Sequence, residues 1–404
     1  YRFIKMAKNL EFYRKKLDNG LIVLFEKKKI PVVTVASSVR FGAQFENENI
    51  KGISHFLEHL VFKGTKKRKV EEIPREIEDK GGIINAFTSE NLTCYWNKLP
   101  NKYFSLGADI SRDLVLNPVF EKNAIERERK VVLEEIKMYN DNPGAYVMEK
   151  IKEMLYKKPF NMPIAGTIKT LSSLSREKII NIHNEIYTSN NMIFSVVGDV
   201  NLEDVIKEAK KFPKSKKEIK HKKIITNNGE FIKRRKGIDQ AHEVLGFHMP
   251  KLTDKNRYAA EIFDIILGGG MSSRLFQEIR EKRGLCYAVR SSLEQSRDYS
   301  YEIIYVGTVK EKIQEIRKII LGEIKKLRDL KQSDLSQAKE RLIGLKEINK
   351  EKTDNIMFDL LHEEMGGNAE NYYKYNQGIN SVSLKDVREL GKLKGYSFVA
   401  LLPG

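Results

Sequence analysis

The sequence predicts an α+β protein of two homologous domains, each an α/β sandwich, which arise from an internal duplication. Three observations predict this class. The chain has 404 residues, which suits two domains of about 200 residues each better than one. Its apolar fraction of 41% is sufficient for sizeable cores. Strand patterns followed by groups of helical patterns occupy the first half, and this succession restarts after a lysine-rich segment.

The first half opens with a hairpin pattern. Asn19-Gly20 interrupts the strand pattern at 17–25, and glycine supplies the positive φ of a tight turn. The β-branched run Val32–Val39 predicts a buried strand. The other predicted elements are helices at 52–64, 70–80, 102–117, 121–139, 146–155, 175–186 and 202–211, two strands within 83–98 around a turn at 89–91, and a strand at 191–200.

The second half repeats this organisation. Residues 128–136 and 340–348 match at five of nine positions, and 80–86 aligns with 282–288. Chance similarity between amphipathic helices is the alternative. We therefore predict a first domain at 1–213, a lysine-rich linker at 214–231 and a second domain at 232–404. The elements predicted after the linker are strands at 241–249 and 286–292 and helices at 256–267, 273–281, 312–330 and 335–350.

The net charge of +18 is concentrated in one segment. Residues 207–236 contain thirteen Lys and Arg against three Glu. A basic segment can bind nucleic acid, but the sequence has neither an aromatic stacking motif nor a recognition-helix pattern. We interpret the segment as a solvated linker and expect no nucleic-acid partner.

Other classes of protein are disfavoured by composition. The sequence has no run of 18 uncharged apolar residues, so we expect no membrane span. Its first residues lack the apolar core of a secretory signal, and its two cysteines, Cys94 and Cys286, cannot form a disulfide framework. These features predict a reducing compartment, either the cytoplasm or, in a eukaryote, an organellar matrix.

One helical pattern carries metal-binding chemistry. His55 and His59 are four residues apart and so lie about 40° apart on one helix face, where both imidazoles can reach one ion. Glu58 lies beside them, which suits a base that takes a proton from a water on the ion. This H-x-x-E-H order occurs in zinc peptidases. Because the surrounding helix is apolar, the polar trio needs a partner such as a metal.

A zinc site of the catalytic type needs a third protein ligand. Glu128 and Glu135 lie seven residues apart on one face of the helix predicted at 121–139. On the residues alone, either carboxylate is a candidate ligand, and the other is a candidate to orient a histidine.

Five sequence motifs, the first of which contains H-x-x-E-H, belong to a similarity that runs nearly end to end along the chain. They are 52–65 (GISHFLEHLVFKGT), 81–88 (GGIINAFT), 128–136 (ERKVVLEEI), 267–276 (LGGGMSSRLF) and 280–287 (REKRGLCY). In these segments the chain resembles the pitrilysin-like (inverzincin) zinc metallopeptidases. Within that family it resembles the branch that contains mitochondrial processing peptidase and small bacterial and archaeal zinc proteases. The resemblance implies a clamshell-type assembly of two α/β domains.

The resemblance also implies the metal ligands. The family's distal zinc glutamate lies near 76 positions after the second histidine, and Glu135 lies 76 positions after His59. Glu128 matches a glutamate that supports the site without binding the metal. Aligning the repeats at Gly64 and Gly268 places the H-x-x-E-H residues opposite non-ligating side chains in the second half, so one Zn²⁺ per chain is expected. These opposite positions are Ala259, Ile262 and Phe263.

Substrate contacts follow from the same resemblance. Arg280 and Tyr287 match an Arg-x6-Tyr pair that holds the substrate carbonyl and stabilises charge on the tetrahedral intermediate. Asn85 and Ala86 match the edge strand along which the substrate peptide lies.

The sequence thus predicts a zinc-dependent metalloendopeptidase that hydrolyses extended peptides or small unfolded segments. The family's zinc and Arg–Tyr pair belong to different halves, so we expect a homodimer in which each chain completes the other's site, with a heterodimer containing a metal-free paralogue as the alternative. The alternative function is a catalytically inactive peptide-binding or assembly subunit of the same fold.

Overall fold

The computed structural model describes residues 11–215, 219, 223–393 and 395–404. Strands and helices are mixed along the chain, which confirms the predicted α+β class. The strands are β1 (Glu11–Lys16), β2 (Ile22–Lys27), β3 (Val32–Val39), β4 (Ile83–Thr88), β5 (Thr93–Pro100), β6 (Met192–Gly198), β7 (Glu230–Arg235), β8 (Ala241–His248), β9 (Cys286–Gln295), β10 (Ser300–Thr308) and β11 (Ser397–Pro403). The α-helices are α1 (Ile53–Val61), α2 (Glu72–Glu78), α3 (Phe104–Leu116), α4 (Lys122–Asp141), α5 (Pro143–Leu155), α6 (Ile168–Ser172), α7 (Arg176–Ile186), α8 (Leu202–Ala209), α9 (Arg257–Leu267), α10 (Ile313–Lys326), α11 (Gln332–Asn349), α12 (Thr353–Met365), α13 (Tyr375–Ser381) and α14 (Leu384–Leu390).

The chain forms two compact units, and each contains a segment from the other half of the sequence. The described residues of the first unit are 11–136, 162–215, 219 and 349–372, and those of the second unit are 137–161, 223–348, 373–393 and 395–404. The predicted linker at 214–231, between the two sequence repeats, stays a prediction, since 216–218 and 220–222 lie outside the described residues. Strand β7 begins at Glu230, within the predicted linker.

The first unit contains a six-stranded sheet in the order β1-β2-β6-β3-β5-β4. Strands β2 and β6 pair in parallel, and the other neighbours are antiparallel. Every residue of β6 is buried, because α12 covers one face of this sheet while the other face packs into the unit's main core. The candidate substrate strand β4 lies at an edge of the sheet.

The second unit contains a five-stranded sheet in the order β7-β11-β8-β10-β9. Its parallel pair is β7 and β11, and its other neighbours are antiparallel. This order and these directions repeat those of β2-β6-β3-β5-β4 in the first unit. The repetition agrees with two homologous domains from a duplication.

Two helices lie in a unit that the linear order of the sequence does not predict. Helix α5, from the first half, packs on β8 and β11 of the second unit, where Val147 and Ile151 join a buried cluster. Helix α12, from the second half, packs on β3 and β6 of the first unit, where Thr34 Oγ1 donates to Thr353 Oγ1 at 2.8 Å. In each unit, one face of the sheet is thus covered by a helix from the other half of the sequence.

Local differences from the predicted elements have local causes. The Asn142-Pro143 pair, which signals a helix end, also begins α5, because the Asn142 side chain accepts the Ala145 N–H and proline suits the first helical turn. The predicted helix at 273–281 contains a π-helical segment, Phe276–Glu281. In the described part of the chain, none of the helices combines the length and apolarity that crossing a membrane requires.

Candidate metal centre and active site

Helix α1 carries the H-x-x-E-H motif, and a buried carboxylate holds its first turn. Glu46 accepts the N–H groups of Gly52 at 2.9 Å and Ser54 at 2.7 Å, so two of the unpaired donors at the helix start are satisfied. The Lys51 ammonium lies 3.7 Å from this carboxylate, and both side chains are fully buried. Gly52 has φ 94°, and a Cβ there would lie 2.6 Å from the Ala165 carbonyl oxygen, which excludes other residues.

Donor atoms of His55, His59 and Glu135 converge within 4.8 Å of one another. Glu135 Oε2, from α4, lies 3.7 Å from His55 Nε2 and 3.6 Å from His59 Nε2. Donors about 2.0–2.2 Å from a tetrahedral zinc ion are roughly 3.3–3.6 Å apart, so the two distances from Glu135 are close to those that such an ion requires. Burial, followed by the charge of His59, lowers the pKa of His55 to about 4, which favours the neutral imidazole that binds metals.

Glu128 contacts His59 on the side away from the converging donor atoms. Its Oε2 lies 3.4 Å from His59 Nδ1, the ring nitrogen opposite the converging Nε2. Its Oε1 accepts from the Lys63 ammonium at 2.8 Å. A carboxylate on the outer ring nitrogen fixes the tautomer and orientation of a ligating histidine. Of the two candidate glutamates, Glu135 lies beside the histidine Nε2 atoms and Glu128 lies beside the outer nitrogen of His59.

Glu58 lies in the same sector of α1 as the two histidines. Thr88, the last residue of β4, donates its hydroxyl to Glu58 Oε2 at 2.6 Å. Burial raises the pKa of Glu58, whereas the Thr88 hydrogen bond and the charge of His59 lower it. A carboxyl with a raised pKa, held beside two converging histidines, has the environment of a general base.

Asn85 and Ala86 lie on β4, as predicted, and the structure adds a contact between them. The Asn85 side chain is exposed, and its Oδ1 accepts the Ala86 N–H at 2.8 Å. Ser89 donates its backbone N–H to Leu92 across the turn that leads to β5. Because N–H directions alternate along a strand, the Ala86 N–H faces the open edge of the sheet. This donor is therefore available to an incoming strand once Asn85 turns away.

Arg280 and Tyr287 are neighbours in the second unit. The Arg280 guanidinium lies 5.5 Å from the centroid of the Tyr287 ring and 4.8 Å from that of Phe276. Tyr287 is 77% exposed, which is unusual for an aromatic residue and leaves its hydroxyl accessible.

The second unit has no counterpart of the H-x-x-E-H residues at the aligned positions. Ala259, Ile262 and Phe263 lie on α9, are fully buried and belong to the apolar core of that unit. None of these side chains can ligate a metal, as the aligned repeats predict. Among the described residues, the cluster on α1 and α4 is the only group of three suitable donors.

Three residues that shape the site are not indicated by any sequence pattern. Thr88 and Lys63 lie within two of the segments that carry the family resemblance, but nothing in their spacing indicates a contact with Glu58 or Glu128. Glu46 precedes the motif by nine residues and has no sequence signal.

Two family models match this chain, one in each half of the sequence. Residues 21–168 match the model described as insulinase (peptidase family M16), and residues 173–342 match the peptidase M16 inactive domain. The chain belongs to peptidase family M16. The "inactive domain" model covers the half in which the motif positions are apolar, whereas the first model covers every predicted metal ligand.

Relatives of similar length carry zinc-protease names. An uncharacterized zinc protease of Rickettsia bellii (strain RML369-C) is 33% identical over 369 residues, which cover 89% of this chain and 88% of that protein. The uncharacterized zinc protease YmxG of Bacillus subtilis (strain 168) is 31% identical and covers 93% of both chains. Among solved structures, a protease from Helicobacter pylori aligns with a TM-score of 0.90 at 24% identity, over 98% of this chain and 100% of that one. At this identity the structural match supports the fold.

Proposed function

We propose that this M16 family member is a zinc-dependent endopeptidase that hydrolyses extended peptides or small unfolded segments. The observation that carries the proposal is the convergence of His55, His59 and Glu135 beside a half-buried Glu58. The zinc-protease names of relatives at 31–33% identity support the same conclusion.

Each residue has a definite task in this reaction. His55, His59 and Glu135 would hold a zinc ion, which would acidify a water molecule and polarise the scissile carbonyl. Glu58 accepts the proton of the attacking water while the new C–O bond forms. It then returns that proton to the amine as the C–N bond breaks, so the carboxylate is regenerated. Glu128 holds the His59 ring in place through Nδ1.

Extended peptides suit the open edge of the first sheet. An antiparallel or parallel strand added at β4 gains main-chain hydrogen bonds with little demand on side-chain identity. A folded protein keeps its backbone groups paired internally, so it offers no free strand for this edge. We therefore expect cleavage of varied unfolded sequences and poor cleavage of stable folded proteins.

The test combines metal content with cleavage. The wild-type chain should bind one zinc ion and cleave a quenched-fluorescence peptide library in a chelator-sensitive reaction. Glu135→Gln should lose most of its zinc, whereas Glu134→Gln, an exposed neighbour on the same helix, should keep both zinc and activity.

Two results would count against the proposal. A wild-type chain that takes up no zinc under zinc-replete conditions would overturn the metal site. A zinc-loaded chain that binds peptides but cleaves none would favour the alternative, an inactive peptide-binding or assembly subunit.

A further inference from the structure

The strand that we expect to bind substrate also touches the proposed base. Along β4, Ala86 packs against the main core of the first unit, which includes apolar residues of α1. Phe87 points to the opposite face, where its ring centroid lies 5.4 Å from that of Phe358. Because side chains alternate along a strand, Thr88 faces the same side as Ala86, toward α1.

The hydrogen bond between Thr88 and Glu58 is short and specific. The donor and acceptor are 30 residues apart in sequence and 2.6 Å apart in space. Among the described residues, Thr88 alone forms a hydrogen bond with the Glu58 side chain. A carboxylate can only accept, so the hydroxyl donates and fixes one of the two carboxylate oxygens.

From this geometry we propose that Thr88 is a positioning residue, which holds Oε2 of Glu58 so that Oε1 is presented to the reacting water. The inference rests on the proposed peptidase function. A carboxylate anchored at one oxygen loses rotational freedom, and a base already aligned with its proton avoids that loss during reaction. The anchor belongs to edge strand β4, so binding of a peptide along β4 and alignment of the base involve the same strand.

Three variants separate positioning from a structural role. Thr88→Val keeps the shape and removes the hydroxyl, and it should lower kcat at least about tenfold with KM within about twofold. Thr88→Ser keeps the hydroxyl and should recover most of kcat. Thr34→Val removes a buried threonine hydroxyl from β3 on the α12 side of the same sheet, and it should leave kcat unchanged. Zinc affinity, measured by competition with a chromophoric chelator, should be equal in all four proteins.

A double-mutant cycle gives a readout that does not depend on turnover. In the metal-free chain, urea unfolding is followed by the fluorescence of Trp96, the single tryptophan, which lies on β5 of the first unit. Thr88→Val should lower the urea midpoint in the wild-type background. In a Glu58→Ala background, the same substitution should shift the midpoint less or in the opposite direction, since its partner is absent.

The outcomes separate the two proposals. If the wild type cleaves peptides but Thr88→Val matches it in kcat, or if the two midpoint shifts are equal, the positioning role is wrong while the peptidase proposal stands. If Thr88→Ser is as impaired as Thr88→Val, the hydroxyl is not the operative group and the inference also fails. A wild type that cleaves no peptide overturns both.

Discussion

Replacing Glu46 by glutamine should destabilise the helix that carries His55, Glu58 and His59. The Glu46 carboxylate accepts two backbone N–H groups at the start of α1 and faces the buried Lys51 ammonium. Burial raises the pKa of Glu46, while the Lys51 charge and the N–H groups of Gly52 and Ser54 favour its ionised form. Glutamine keeps one acceptor oxygen, presents an NH₂ group to the remaining donors and leaves Lys51 without a counter-charge.

The expected magnitude follows from these contacts. A hydrogen bond to a charged acceptor contributes about 1.5–3 kcal/mol. Removing one partner of a buried ion pair costs about 3–5 kcal/mol. Both effects concern the same carboxylate and are not additive, so we expect Glu46→Gln to lower the free energy of unfolding of the first unit by about 3–5 kcal/mol.

Trp96 fluorescence makes the measurement specific to this unit. Urea unfolding of the chelator-treated chain reports on the first unit, since the chain's one tryptophan lies on β5. Glu48→Gln, an exposed substitution two residues away, is the matched control and should change stability by less than about 0.5 kcal/mol. In the double variant Glu46→Gln/Lys51→Met, the loss should be smaller than in Glu46→Gln, because no buried charge then lacks a partner.

Two outcomes would refute this reasoning. A loss below about 1 kcal/mol for Glu46→Gln would mean that the carboxylate does not carry the helix start. An equal loss in the single and double variants would mean that the uncompensated Lys51 charge is not the main cost. A secondary consequence for the proposed zinc site is weaker metal binding in Glu46→Gln, since both histidines lie within the first two turns of α1.

Three further perturbations test other parts of the protein. Burial raises the pKa of Glu243 to about 8 from its ordinary value of 4.5, so the stability from its neutral form is full below pH 4.5 and is lost as pH rises toward 8. Calorimetry should therefore show a larger fall in Tm between pH 6 and pH 9 for wild type than for Glu243→Gln, and parallel falls would contradict this. Mixing Glu58→Gln chains with Tyr287→Phe chains should restore activity if chains share sites as the family resemblance implies, and no restoration at equal amounts would exclude sharing. A protease site can be introduced between residues 213 and 223, so that cleavage yields two fragments. These fragments should co-elute in native buffer and separate in urea, because α5 and α12 each pack on the sheet formed by the other half of the sequence. Fragments that separate in native buffer would refute this prediction.

The helical period alone was sufficient to predict that the three residues of the H-x-x-E-H motif lie together. The spacing of His55, Glu58 and His59 places them in one sector of any α-helix, since the 3.6-residue repeat is a property of the backbone itself. Several element bounds were predictable for the same reason, and Val32–Val39 forms a strand over the full predicted range. Two candidate third ligands were also visible as residues seven apart on one helix face.

Contacts between distant segments were not predictable from the residues alone. Only the folded chain places Glu135 at the histidine Nε2 atoms and Glu128 behind His59, and it alone brings Thr88 to Glu58. The exchange of α5 and α12 between the sheets has the same origin. Helical and strand periods constrain residues a few positions apart, whereas these contacts join residues from 30 to hundreds of positions apart. Which of these distant residues meet depends on how the sheets and helices pack, and a local sequence repeat does not predict that packing.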